Sequence, residues 1–109
     1  MGLDMYLMGL DNGAECELGY WRKHPDLHGY ICREFAGGVD ECQRIPLTKD
    51  NMQVILAATR AGDLETTTGF FFGESRPEDA EHTIAIFEKA LKWKAEDPFV
   101  REVVYQASW

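Results

Sequence analysis

A chain of 109 residues, 45% of them hydrophobic, has the length of one domain and the apolar material for one modest core. Its 19 acidic residues against 11 basic ones leave a net charge of −8. That excludes general binding to nucleic-acid backbones, where Lys and Arg must neutralise phosphates, and no run approaches the roughly 20 apolar residues of a membrane span.

Residues 3–10 read as a strand in which Leu3, Met5 and Leu7 alternate with Asp4, Tyr6 and Met8. Asn12-Gly13 is a favoured pair for a tight hairpin turn, and residues 14–20 return with Cys16, Leu18 and Tyr20 on one face. Pro25 suits the first turn of a helix whose stripe is Leu27, Ile31 and Phe35, ended by Gly37-Gly38. Residues 42–47 hold a short strand, and Pro46 marks it as an edge or an end. Thr48 caps a second helix with Met52, Ile55, Leu56 and Thr59 inward and Gly62 as its stop. Residues 64–73, with Phe70, Phe71 and Phe72, read as a central strand covered on both faces. Ser75 and Glu78 make a capping box around Pro77 for a third helix, which runs to about Glu96 on a stripe of Ala80, Ile84, Phe87 and Leu91. Residues 99–107 form a last strand with Phe99, Val103 and Tyr105 prominent.

The predicted class is therefore α+β. A single domain over 1–109 packs three helices on a small mixed sheet that begins with a β-hairpin, in the order β-β-α-(β)-α-β-α-β.

Several constellations bear on chemistry. Tyr20-Trp21-Arg22-Lys23-His24, closely followed by His28, gathers aromatics and cations at a helix N-terminus, where anions bind readily. The plainer reading puts Trp21 in the core and Arg22 against an acid. His24, His28 and Cys32 recur every four residues, as metal ligands on one helix face would, but the paired short spacings of structural zinc are absent. No metal and no cofactor are expected. Cys42 lies beside Asp40 and Glu41, which disfavour a thiolate, so an inert thiol is expected unless folding brings His28 to it. The odd set Cys16, Cys32 and Cys42 suggests no disulfide framework and fits reduced thiols in a cytosol, and the opening residues lack the basic start of a secretory signal. Gly69 and Gly73 lack the partners of a phosphate-binding loop. A terminal Trp109 either ties the end down or covers a ligand or partner surface.

Met1-Gly-Leu-Asp-Met-Tyr-Leu7, Glu17-Leu-Gly-Tyr-Trp-Arg-Lys23, His28, Gly38-Val-Asp-Glu-Cys42, Thr68-Gly-Phe-Phe-Phe-Gly73 and Tyr105-Gln-Ala-Ser-Trp109 span nearly the whole chain. Together they resemble a small family of tailed-phage and prophage proteins without an assigned activity. His24-Pro25-Asp26 departs from that pattern. Relatives sometimes carry the label phosphoglycerate kinase, which does not fit: that enzyme is a far longer two-domain protein whose nucleotide-binding elements have no counterpart here.

The resemblance implies a phage or prophage accessory protein in the host cytoplasm. The leading expectation is a non-enzymatic binding module that inhibits a host protein or sequesters a small anionic ligand such as a nucleotide, against host defence. Its binding residues would be Trp21, Arg22, Lys23, His28, Asp40, Cys42 and Trp109. The alternative is a small nucleotide or phosphoester hydrolase with His28 as acid or base, Arg22 and Lys23 on the anion, and Asp4 or Asp40 orienting the imidazole. A third reading makes all of these fold determinants only. Neither a membrane nor a nucleic-acid backbone is an expected partner, and the oligomeric state, a homodimer included, is left open.

Overall fold

In the computed structural model, which describes residues 3–64 and 75–109, the alternating N-terminal segment forms strand β1 (Asp4–Asp11) and returns as β2 (Ala14–Arg22). Asn12 and Gly13 make the turn with φ of 52° and 88°, the left-handed conformation that two-residue hairpin loops require. A bulge opposite Leu7 and Met8 inserts Leu18 into β2. It re-phases the strand, so that Leu18 and Trp21 are both buried.

The strand order is β2-β1-β4-β3, where β4 is Arg101–Ser108 and β3 is Ile45–Leu47. All three pairings are antiparallel. The α+β class and the helices on a small sheet are as the sequence implies; the sheet among the described residues is antiparallel, not mixed. The expected central strand over 64–73 lies outside the described residues, apart from Leu64. In the sheet that is described, the centre is held by β1 and β4.

Period-two alternation sends Leu3, Met5, Leu7, Val103, Tyr105, Ala107, Ile45 and Leu47 to one buried face. Three helices supply the rest of the same core: α1 (Pro25–Phe35) through Leu27 and Ile31, α2 (Lys49–Ala61) through Met52 and Ile55, and α3 (Pro77–Glu96) through Ile86, Phe87 and Ala90. The opposite face carries Tyr6 and Tyr20 in a tilted ring contact with centroids 5.3 Å apart, and the Tyr20 hydroxyl donates to Asp4.

Helix ends follow local chemistry. Thr48 and Asn51 cap α2 reciprocally: the Asn51 N–H donates to the Thr48 hydroxyl at 3.1 Å, and the Thr48 N–H donates to the Asn51 side-chain Oδ1 at 3.0 Å. Gly62 ends it at φ 71°, a conformation that costs other residues steric strain. The cap of α3 falls one residue later than the Ser-x-x-Glu pattern predicts. Arg76 is the N-cap residue, and its N–H donates to Asp79 Oδ2 at 2.7 Å. Ser75 is drawn away by α1, where its hydroxyl accepts from the Asp26 N–H and pairs with His24. Phe99 is likewise not a strand residue: it precedes β4 and is 98% exposed.

The sheet meets α3 at two glycines. A Cβ on Gly19 would overlap the Ile86 side chain, and one on Gly9 would come within 2.6 Å of the Trp93 ring. Helix and sheet can approach this closely only because both positions lack a side chain. Gly19→Ala is expected to destabilise the fold by about 1–3 kcal/mol through overpacking, seen as a lower urea midpoint with an unchanged slope.

Candidate functional site

The clearest polar cluster is built around His28, which α1 buries on its inner face beside the apolar stripe of Leu27 and Ile31. The ring is engaged at both nitrogens. Nδ1 lies 2.6 Å from the Tyr105 hydroxyl, and Nε2 lies 2.9 Å from Asp40 Oδ1. A carboxylate only accepts, so with Asp40 in that form Nε2–H donates to Oδ1, and Nδ1 of a neutral ring accepts a hydrogen bond from the Tyr105 hydroxyl. The same Asp40 oxygen accepts from the Trp109 indole N–H at 3.0 Å. One turn along α1, Cys32 Sγ stands 3.7 Å from Nε2.

Burial sets the protonation of the neighbours. It raises Tyr105 well above the ordinary phenol range, assisted by Cys32 and Asp40. It also pushes the Cys32 thiol up to about 11, again with help from Asp40 and against a smaller effect of Arg33. Both therefore keep their protons at neutral pH, and Cys32 is no nucleophile in this state.

The loop that brings Asp40 to this cluster is held by its own side chains. Gln43 accepts from the Glu41 N–H and donates to the Val39 carbonyl, both at 2.8 Å. Gln106 of β4 donates to the Cys42 carbonyl at 2.9 Å, and Cys42 has a left-handed φ of 58°. Cys42 thus contributes backbone to the loop, while the thiol beside His28 belongs to Cys32.

A second arrangement lies where β2 ends and α3 begins. Arg22, Lys23 and Arg76 line an open cavity of about 300 Å³ together with Glu78 and Asp79. Asp79 is committed to capping Arg76. Among the described residues, none of these three cations forms an ion pair. Lys23 is fixed in a left-handed turn, φ 59°, by its N–H bond to the Leu3 carbonyl at 2.9 Å.

The cationic-aromatic stretch is thus divided between three environments. Trp21 is core: its indole N–H donates to Thr83 at 2.9 Å, and its ring lies 5.8 Å from Phe87. Arg22 and Lys23 face the cavity. His28, Asp40 and Trp109 meet elsewhere, with Tyr105 and Cys32. Tyr105 and Arg76 were not singled out from the sequence as site residues. The inward alternation of Val103, Tyr105 and Ala107 signals Tyr105's burial but not its partner, and nothing local marks Arg76.

His24 shares neither arrangement's chemistry. It is buried, Nδ1 lies 2.7 Å from the Ser75 hydroxyl, and Nε2 has no hydrogen-bond partner among the described residues. The separation of His24 from His28, Cys32 and Asp40 removes it from the four-residue ligand pattern. No family model matches the chain, and no curated protein or solved structure is significantly similar to it.

Burial holds the His24 pKa below its ordinary value, with Asp79 and Asp26 opposing and His82 assisting. The unfolded chain takes up this proton below about pH 6.5, while the folded chain resists it. Stability from His24 is complete above that pH and declines as pH falls towards the lower folded value. Urea unfolding of wild type and His24→Gln between mildly alkaline and mildly acidic pH should show a smaller loss in the variant. Parallel curves would contradict this assignment.

Proposed function

We propose that the protein is a binding module for a small, multiply charged anion of the phosphate or nucleotide class, held between the end of β2 and the start of α3. The observation that carries this reading is the convergence of Arg22, Lys23 and Arg76 on one open cavity without ion-pair partners among the described residues. Unpaired guanidinium groups have donors to spare in a fork suited to phosphate oxygens. The start of α3 adds the positive end of its dipole. The volume of about 300 Å³ is at the small end of ligand sites and suits a phosphate-bearing head group.

The hydrolase alternative has less support. His28 faces Tyr105 and Asp40, not Arg22 and Lys23, and it is buried. A binding role needs only the cations. The resemblance to tailed-phage and prophage proteins supports the host cytoplasm as the place of action and interference with host defence as the purpose. No helix among the described residues is long and apolar enough to cross a membrane.

Calorimetric titration with inorganic phosphate, adenosine monophosphate and adenosine diphosphate tests the reading. At least one should bind, more weakly as salt is raised. Arg22→Ala and Arg76→Ala should each cost about 10-fold to 100-fold in affinity, the worth of a charge-assisted hydrogen bond. Glu78→Gln should tighten binding by removing a competing carboxylate. Absence of heat with all three probes, or full affinity in the Arg22→Ala/Arg76→Ala double variant, overturns the proposal.

A further inference from the structure

We propose that His28 Nε2, Cys32 Sγ and an Asp40 carboxylate oxygen form a binding site for a single zinc ion. Their ligand atoms all lie within 4.8 Å of one another. The Sγ to Nε2 separation is 3.7 Å and the Nε2 to Oδ1 separation 2.9 Å. Tetrahedral zinc, with bonds of about 2.0 Å to nitrogen and oxygen and about 2.3 Å to sulfur, separates its ligands by about 3.3–3.7 Å. The Sγ to Nε2 edge is already near the required length, the Nε2 to Oδ1 edge is shorter than it, and a shift of the Asp40 side chain adjusts both of its own separations.

The donor set selects the metal. One thiolate, one imidazole and one carboxylate suit zinc, whereas calcium and magnesium call for oxygen ligands. The surroundings also match a zinc shell. A ligating imidazole donates its other N–H to a fixed acceptor, and here Nδ1 points at the Tyr105 hydroxyl. A ligating carboxylate is itself hydrogen-bonded, and here Trp109 donates to Asp40. On binding, the thiol proton leaves to solvent, and the ring presents a bare Nε2 with its proton on Nδ1. The Asp40 side chain is partly exposed, so an ion enters from that side and the fourth position falls to water.

The site does not depend on the anion cavity, which uses none of these three residues. It would fix the loop carrying Asp40 against α1 and β4.

Chelator-treated protein titrated with cobalt(II) provides the test. One equivalent should bind with thiolate-to-cobalt charge-transfer absorption and intense tetrahedral bands, and zinc should displace it. Cys32→Ser should abolish the charge-transfer band, while Cys16→Ser and Cys42→Ser keep it. Asp40→Asn, at a partly exposed position, should weaken zinc binding at least tenfold in a folded protein. Tyr105→Phe should weaken it about 10-fold to 100-fold. The proposal is overturned if wild-type protein takes up no stoichiometric cobalt or zinc. It is equally overturned if the band survives Cys32→Ser or if Asp40→Asn binds with full affinity.

Discussion

A buried imidazole engaged at both nitrogens is the constraint on which the polar organisation of this protein depends. His28 joins three separate parts of the chain: its own helix α1, strand β4 through Tyr105, and the loop after α1 through Asp40. Leaving either nitrogen unpaired in such a place would cost about 1–3 kcal/mol. The loop must therefore return Asp40 to the ring, and β4 must place Tyr105 inward. Trp109 then follows, because its indole N–H reaches the same carboxylate oxygen and ties the end of the chain to the fold. Two of these restraints meet at His28, and the third joins them through Asp40.

The sheet relates this cluster to the cationic cavity. Asp4 pairs with Arg22 on one side and with Ser108 on the other. Arg22 and the end of β4 are thus two strands apart at the same end of the sheet, about 10 Å at the usual strand spacing. α1 also starts from this end, since only Lys23 and His24 separate β2 from Pro25. The chain leaves the sheet here and enters the helices here, so side chains distant in sequence collect. At the other end, Arg101 reaches both Asp11 and Glu96, which ties the hairpin to the end of α3.

Much of the fold was legible because local rules and tertiary packing agree. The hairpin is written in Asn12-Gly13 between two alternating runs, and α2 in Thr48 with its terminal Gly62. The start of α3 was misread by one residue because Ser75 has two competing uses. Its hydroxyl serves the N-terminus of α1, a partner 49 positions away that no local pattern contains. Phe99 misled for a simpler reason: an aromatic suggests a strand, but a turn over 97–100 carries it outward before β4 begins. The site was legible in its parts more than in its grouping. Of the two acids considered for His28, Asp40 and not Asp4 lies against the ring, and Trp109 bonds to that same carboxylate. The division of Trp21, Arg22 and Lys23 from His28 was not legible, because it depends on strand alternation at the end of β2. Trp21 turns inward there, Arg22 outward, and Lys23 leaves the strand in a left-handed turn.

The proposed anion site is compatible with an acidic protein, because charge acts over a limited distance. Ionic screening reduces interactions between exposed charges beyond about 8–10 Å at ordinary salt. β1 runs from Asp4 to Asp11, about 23 Å at the usual rise, and Asp11, Glu15, Glu96 and Glu102 all lie towards its far end. Near the cavity, Arg22, Lys23 and Arg76 stand against Glu78 and an Asp79 already engaged by its helix, with Asp4 across the hairpin from Arg22. Three cations thus gather at one cavity although the net charge is −8. On the proposed reading, an acidic chain with three cations at one cavity repels extended polyanions while admitting a compact anion.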